Sequence, residues 1–405
     1  MARRAVVVGA GHAGIAVAAG LEKAGWGGDV VVLGGEEVAP YQRPPLSKEL
    51  LAGEEPASLP LRPAPKEADV RLGARVEQLD LAGRAVVLSG GERVDYDELV
   101  LATGSTPRRL DVPGADLDGV VTLRTVADAL DLRERLAPGC RLVVVGGGVL
   151  GLEVAASARQ RSVEVVVVEA ADRLLGRVAS APVAEHLAEL HRSRGVDVRL
   201  GAGVDAIAGS DGRVTGVVLA DGEELAADVV LIAIGVVPET ALAEAAGLDV
   251  DDGIVVDDGL RTSDAHVSAI GDCARIRHAV HGPLRLESVP NATDSARTLA
   301  TRLAGGEASH DAVPWGWSTQ AGVRVQSAGV LDGHDEVVVR GTPGAEEGFV
   351  VFALRDGRLV AAEAVDRPRE HLATRTLLAA RAEVDPARLA DPATDLAALA
   401  KELPA

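Results

Sequence analysis

The chain has 405 residues, 47% of them hydrophobic and 25% charged, and a formal net charge of −20. That length exceeds what one hydrophobic core supports and predicts two or three domains, while the acidic balance opposes nucleic acid and anionic membrane as partners. Nothing at the amino terminus reads as an export signal, and no apolar stretch of about 18 residues lacks a charge or a glycine cluster, so a cytoplasmic protein without a membrane span is expected. Two cysteines, Cys140 and Cys273, are too few and too far apart for a disulfide framework or a zinc site. No metal is expected, and with no cysteine in residues 35–60, thiol-based redox catalysis is excluded as well.

In chain order, Ala5-Val6-Val7-Val8 predicts a strand that runs into Gly9-Ala10-Gly11-His12-Ala13-Gly14, and Ile15 to Leu21 follow helical spacing. Val30 to Leu33 form the next apolar run, and a proline-rich loop spans Pro40 to Pro65. Short strands are expected at Val70–Leu72, Ala85–Leu88 and Glu98–Ala102. Pro113-Gly114 marks a crossing into a new domain. There the pattern repeats: Leu142-Val143-Val144-Val145 runs into Gly146-Gly147-Gly148-Val149-Leu150-Gly151. The second copy continues through Val165 to Glu169, a helix around Val183–Arg194, and strands ending at Ala233-Ile234-Gly235. Gly253–Asp257 and Ala269–Asp272 read as strands that return to the first domain, so one nucleotide domain is inserted in another. From Pro314 onward, hairpin-like stretches at Val323–Val330, Glu336–Arg340, Gly348–Ala353 and Leu359–Val365 precede a helix at Arg369–Arg381.

Each glycine-rich turn has a physical reading. The first glycine (Gly9, Gly146) permits a tight turn, the second (Gly11, Gly148) lets the backbone approach a pyrophosphate, and the third (Gly14, Gly151) lets helix and strand pack closely. The diphosphate then rests on N–H groups at a helix start, where His12 and Ala13, or Val149 and Leu150, stand. Two copies point to two dinucleotides. Glu169 closes the strand after the second turn, where a carboxylate accepts hydrogen bonds from a ribose diol and repels a 2′-phosphate. NADH is therefore expected over NADPH, with Arg173 and Arg177 as opposing charges nearby. Glu36 occupies the comparable place in the first copy. Next comes Arg43-Pro44-Pro45-Leu46-Ser47-Lys48, in which two prolines stiffen a loop that carries two cations in a chain with only four lysines.

The Arg43–Lys48 loop, Ala102-Thr103-Gly104-Ser105-Thr106-Pro107-Arg108, Leu123-Arg124-Thr125, Gly151-Leu152-Glu153, Gly271-Asp272-Cys273-Ala274, Glu287-Ser288-Val289-Pro290-Asn291-Ala292 and Val313-Pro314-Trp315-Gly316-Trp317-Ser318-Thr319-Gln320 together resemble the FAD-dependent NADH:ferredoxin reductases of bacterial oxygenase systems, of rubredoxin and putidaredoxin reductase type. The resemblance covers nearly the whole chain. It implies a glutathione-reductase-like α/β fold with two Rossmann-type domains: an FAD domain (1–112 and 242–312), an inserted NAD(H) domain (113–241) and a C-terminal α+β domain (313–405). It further implies that Arg43, Lys48, Val76, Ala102, Thr103, Gly104 and Arg124 line the flavin nucleotide, that Asp272 binds the ribityl chain, and that Val289 lies beside the pyrimidine end. Arg177 and Gly235 join the NAD contacts. Lys48 and Glu153 pair near the reacting flavin atom, and Trp317 lies beside the flavin and nicotinamide. An ordinary surface ion pair, and tryptophans that belong to the core, are the plainer readings of those residues.

The expected function is hydride transfer from NADH to FAD, then single-electron transfer to a small iron–sulfur ferredoxin or rubredoxin that docks transiently, by a monomer or homodimer. Because ferredoxins are commonly acidic, Arg275, Arg277, Arg285, Arg297 and Arg324 are candidates for a local basic patch. Gly316, Thr319, Ala321 and Gly35 depart from the family pattern and bear on the acceptor. An NADH or biosynthetic oxidase acting on oxygen or a small molecule, and a redox-sensing flavoprotein, are the alternatives.

Overall fold

A computed structural model describes residues 3–56, 59, 61, 65–381 and 383–402, so part of the proline-rich loop expected over 40–65 lies outside the described residues. Two compact units partition the chain: residues 1–42, 57–106 and 236–314 form one, and residues 43–56, 107–235 and 315–405 the other.

The first unit is built on a five-stranded parallel sheet whose strands lie in the order Val267–Ala269, Glu98–Leu101, Arg4–Val8, Asp29–Leu33 and Asp69–Arg71. Parallel strands covered on both faces read as continuous aliphatic runs, which accounts for Val6, Val7, Val31 and Val32 at the bottom of the exposure range. The helix His12–Lys23 follows the central strand and packs along the helix Val289–Leu303, so closely that a Cβ on Gly20 would stand 2.8 Å from Cβ of Ala300. Two small sheets complete this unit, one of Val76–Asp80, Ala85–Leu88 and Arg93–Asp95, the other of Ile254–Val256, Ala274–His278 and Gly282–Leu284.

The run read as 253–257 forms the strand Ile254–Val256 of this unit, in its separate small sheet. One strand expectation is corrected here. The strand read as 269–272 ends at Ala269, and Gly271–Cys273 form a 3-10 turn with Gly271 at φ +72°.

The second unit repeats the plan. Its parallel sheet runs Asp197–Leu200, Glu164–Glu169, Arg141–Val145, Val229–Ile232 and Val120–Val121, again with the strand before the glycine turn at the centre. The helices Val149–Gln160 and Ala181–Ser193 follow, and an antiparallel three-stranded sheet, Val204–Ser210, Arg213–Leu219 and Glu224–Ala226, matches the one after the first fold. The same unit holds an antiparallel sheet of Trp315–Gln320, Val323–Gly329, Arg358–Val365, Phe349–Arg355 and Glu336–Gly341, with the helix Pro368–Ala379 packed on it. Its core includes fully buried Phe349, Phe352 and Leu377. Buried Arg340 donates to the carbonyls of Asp391, Pro392 and Thr394 at 2.6, 3.0 and 2.7 Å, which fastens the last helices to the edge strand.

The segment 43–56, contiguous in sequence with the first nucleotide fold, clusters with the second unit. It is not a plain loop: Pro44–Ser47 form a 3-10 turn and Glu49–Ala52 one helical turn. Ser157 Oγ donates to the Ser47 carbonyl at 2.7 Å, Arg161 to that of Leu51 at 2.9 Å and Arg133 to that of Glu54 at 3.0 Å. No described helix is long and apolar enough to cross a membrane.

A methyl group on Gly14 would collide with the Gly9 carbonyl, whereas one on Gly11 would meet nothing within 4 Å. Gly14→Ala should therefore lower stability by roughly 2 kcal/mol or more, and Gly11→Ala by about 0.5 kcal/mol or less, as read from the thermal midpoint by circular dichroism. A second outcome concerns acid. Burial, aided by neighbouring His278, pushes the buried His310 down to about 4 from its ordinary 6.5. Because the folded imidazole binds its proton less readily, the unfolded chain is protonated first as pH falls, so stability is intact above about 6.5 and drains away toward 4. His310→Gln should flatten the loss of thermal stability across that window, by at most about 1.4 kcal/mol per pH unit.

Candidate functional site

In the first unit the glycine turn is fixed from behind. Gly9 has φ +114° and lies against the Ala102 carbonyl, so a side chain fits neither its backbone nor its surroundings. Gly9 N donates to Leu33 O at 2.8 Å and Ala102 N to Val8 O at 2.8 Å, which lock the turn between its two neighbouring strands. Gly11 caps the helix without a side-chain hydrogen bond, and no acidic residue stands in the first turn. The first turn of this helix thus has neither a side-chain cap at Gly11 nor an acidic residue of its own to complement its positive end.

Other expected residues gather at the same place. The Gly271 position is pressed to 3.0 Å from Ala13 Cβ, and Asp272 accepts from Ser105 Oγ at 2.9 Å. Thr103 Oγ1 donates to Glu239 O at 2.7 Å and Gly104 O accepts from Glu239 N at 2.9 Å. Glu36 accepts from the Tyr41 hydroxyl at 2.7 Å, a partner that spacing alone does not reveal. Val289 opens the helix Val289–Leu303, capped by Ser288. Val76 is buried in the hydrophobic core of this unit.

The second unit shows the same construction. Gly146 has φ +110° against the Ala233 carbonyl, Gly151 is pressed against Gly146 O, and the Gly148 position has only Ala233 O within 4 Å, at 3.9 Å. In both turns the middle glycine faces open space, as a dinucleotide diphosphate requires. Glu169 is tied to this turn: its Oε2 accepts from Gly147 N at 2.7 Å and its Oε1 from Ala171 N at 2.9 Å. Arg173 donates to the Gly176 carbonyl of its own loop at 2.8 Å, while Arg177 Nη2 lies 3.1 Å from where a Cβ on Gly235 would stand. Val149 is exposed at the start of the helix, and Leu150 is half-buried.

Lys48 and Glu153 form an enclosed ion pair in this unit. Lys48 Nζ lies 2.6 Å from Glu153 Oε2, with the two side chains only 22% and 8% exposed, so the pair is not a surface ion pair. Ser47 Oγ donates to the same oxygen at 2.5 Å and Ser318 Oγ to Oε1 at 2.6 Å. Both serines lie in stretches that carry the resemblance, but their part in holding this carboxylate shows only where the chain segments meet on it. Arg43 Nη1 donates to the Arg124 carbonyl at 2.6 Å, bringing those two expected residues together, and Asp128 Oδ2 accepts from the backbone N–H of Arg124 at 2.9 Å. Trp317 is 39% exposed beside Trp315, at 5.7 Å between ring centroids, which removes it from the core. Trp315 instead packs under Arg375 and beside His371.

Three of the arginines proposed for a basic patch are compensated locally: Arg275 by Asp251 at 2.5 Å, Arg285 by Glu287 at 2.7 Å and Arg297 by Asp294 at 2.5 Å. Both cysteines are free, and burial pushes each thiol above its ordinary value, so neither is poised as a nucleophile. Among the described residues no group of three or more His, Cys, Asp or Glu side chains is arranged to hold a metal.

The family model described as pyridine nucleotide-disulphide oxidoreductase matches residues 3–296, and that of the reductase C-terminal domain matches residues 315–400. The chain is 43% identical over 398 residues to rhodocoxin reductase of Rhodococcus erythropolis, spanning 96% of this chain and 93% of that one. It is 40% identical over 402 residues to putidaredoxin reductase CamA of Pseudomonas putida, spanning 96% and 95%. The crystal structure of the ferredoxin reductase for the CYP199A2 system from Rhodopseudomonas palustris superposes with a TM-score of 0.95 at 41% identity, over 98% of this chain and 99% of that one. The covalent putidaredoxin reductase–putidaredoxin complex gives 0.94 at 39% identity, over 98% and 99%. With two glycine cradles, a buried Lys–Glu pair and these relatives, the chain belongs to the pyridine nucleotide-disulphide oxidoreductase family, among its FAD-dependent ferredoxin reductases.

Proposed function

We propose that this protein takes a hydride from NADH and delivers single electrons to a small iron–sulfur carrier, a ferredoxin or rubredoxin, of a bacterial oxygenase system. The observation that carries the reading is the doubled cradle: two parallel sheets, each with a glycine turn whose middle residue opens onto free space. The relatives named for rhodocoxin and putidaredoxin supply the class of acceptor. A cytoplasmic location, where an NADH pool would supply the hydride, goes with this reading.

In this assignment Gly9 to Gly14 hold the FAD diphosphate, Glu36 the adenosine ribose and Asp272 the ribityl chain, within residues 1–112 and 242–312. Residues 113–241 hold the coenzyme, with Gly146 to Gly151 under its diphosphate and Glu169 at the adenosine ribose. When bound, the flavin accepts two electrons from a nicotinamide and can release them one at a time. What the protein adds is orientation and electrostatics. Each turn offers backbone N–H groups at a helix start, a fixed positive end for a diphosphate. Glu169, braced by two backbone N–H groups, keeps its remaining lone pairs for a ribose diol and presents negative charge to any 2′-phosphate. Arg173 donates to the Gly176 carbonyl, a neutral acceptor that leaves its positive charge in place. The Lys48–Glu153 pair attends hydride transfer as a fixed pair of opposite charges, and Trp317 stands at the same step on the strand that carries Ser318. Residues 313–405 form the third domain.

Purified protein should be yellow and should bleach on anaerobic addition of NADH; colourless protein that takes up no FAD on reconstitution would remove the proposal. Oxygen consumption without a carrier that matches the rate of ferredoxin reduction would point instead to an oxidase. Glu169→Arg should weaken NADH by about tenfold and improve NADPH, since one charge–hydrogen-bond contact is lost and a phosphate partner gained. Steady-state kinetics with both coenzymes reads the change, and an unaltered preference would mean that the second cradle does not take the adenosine ribose at Glu169.

A further inference from the structure

Two stretches of chain distant in sequence from Glu153 converge on its carboxylate. Ser47 and Lys48 reach Oε2 from the segment 43–56, and Ser318 reaches Oε1 from the strand Trp315–Gln320. Behind Ser318 the direction of every hydrogen bond is determined. The amide nitrogen of Gln320 donates to Ser318 Oγ at 2.8 Å and to the Val149 carbonyl at 3.2 Å, so its oxygen is what faces His191 Nε2, at 3.1 Å. Since that oxygen only accepts, His191 carries its proton on Nε2. Burial holds its imidazole below the ordinary histidine range and keeps it neutral. An imidazole N–H, an amide and a hydroxyl therefore donate in sequence toward Glu153, and all of them are buried.

Removing the Ser318 hydroxyl would leave Oε1 enclosed without its donor. A buried acceptor without a partner is costly, so the carboxylate would turn to share Ser47 and Lys48 between its two oxygens. The ammonium of Lys48 would follow. Ser318 is also the chain neighbour of Trp317, and alternation along the strand puts the serine inward and the indole outward.

We propose that Ser318, backed by Gln320 and His191, is a positioning residue that sets the geometry of the Lys48–Glu153 pair and fixes the outward pose of Trp317. This rests on the reading that the pair attends hydride transfer from NADH. The relevant variants of the intact holoenzyme are Ser318→Ala, Ser318→Thr, which retains the hydroxyl, Glu153→Gln, and Ser318→Ala combined with Glu153→Gln. Stopped-flow reduction of the bound flavin over a range of NADH concentrations separates the limiting rate from the apparent NADH affinity. Ser318→Ala is expected to lower the limiting rate by about tenfold, the worth of one hydrogen bond, with affinity changed by about twofold or less. Ser318→Thr restores the rate. In the Glu153→Gln background, Ser318→Ala adds no further loss, since residues acting through one another are not additive. A second readout is independent of turnover: in a Trp26→Phe background, acrylamide quenching of the two remaining tryptophans rises in Ser318→Ala and returns in Ser318→Thr. A wild-type rate in Ser318→Ala, a loss shared by Ser318→Thr, or full additivity with a slow Glu153→Gln would each overturn the proposal alone. Wild-type reduction by Glu153→Gln would overturn the reading of the pair itself, and this proposal with it.

Discussion

In both dinucleotide folds a helix approaches its strand so closely that only a hydrogen atom fits between them. The α-carbon of Gly14 sits on the carbonyl of Gly9, and that of Gly151 on the carbonyl of Gly146. Much of each fold follows from that proximity. The helix axis is aimed along the strand, its first turn ends at the carboxyl edge of the sheet, and the strand before it must be the central one, flanked on both sides. A central parallel strand is cut off from water on each face, and unbroken valine runs are the residues that tolerate this.

At Glu153, by contrast, a buried charge has been met. Glu153 is enclosed in the second unit yet accepts from Lys48, Ser47 and Ser318. An isolated carboxylate there would be strongly destabilising, and three donors offset its desolvation. The same need explains why the stretch 43–56 is held by Arg133, Arg161 and Ser157: a charge delivered to a buried partner must come from a backbone that cannot drift. The two prolines before Ser47 act in the same direction by removing freedom from the unfolded chain.

How much of this is legible in the sequence depends on the range of the interaction. The glycine turns, the valine runs and Glu169 are local features, because their chemistry is settled within some thirty residues of chain, about the length of one βαβ unit. Lys48 and Glu153 are separated by 105 positions, and only family resemblance joins them. Ser47 and Gln320 lie within stretches that carry the resemblance but have no role assigned by it, and His191 carries no local mark at all, since what distinguishes it is burial, and burial is decided by segments that meet only after folding. The strand Trp315–Gln320 is hidden for another reason: a Gly between two tryptophans and a run of small polar residues lack the alternation of a half-buried strand. Its hairpin turn uses Ala321 at φ +48° before Gly322 at φ +92°, both in the left-handed region that two-residue hairpin turns use. Gly271 misled in the opposite sense, because an apolar run before it masks the point where the strand stops. Three of the arginines offered as a docking surface, Arg275, Arg285 and Arg297, show the limit of counting charge, for their neutralising acids lie close in the fold.

Arg340 shows what its planar fork does to the third domain. A guanidinium sealed beneath the carboxyl-terminal helices, with the carbonyls of Asp391, Pro392 and Thr394 as its solvation, makes those helices a replacement for water around a cation. Shortening the chain to remove them would hydrate a position shaped to be dry, and an ammonium in place of the fork would reach fewer of the waiting oxygens. The tail is therefore retained as the lid of an ion, and this part of the protein can be redesigned only with both halves changed together.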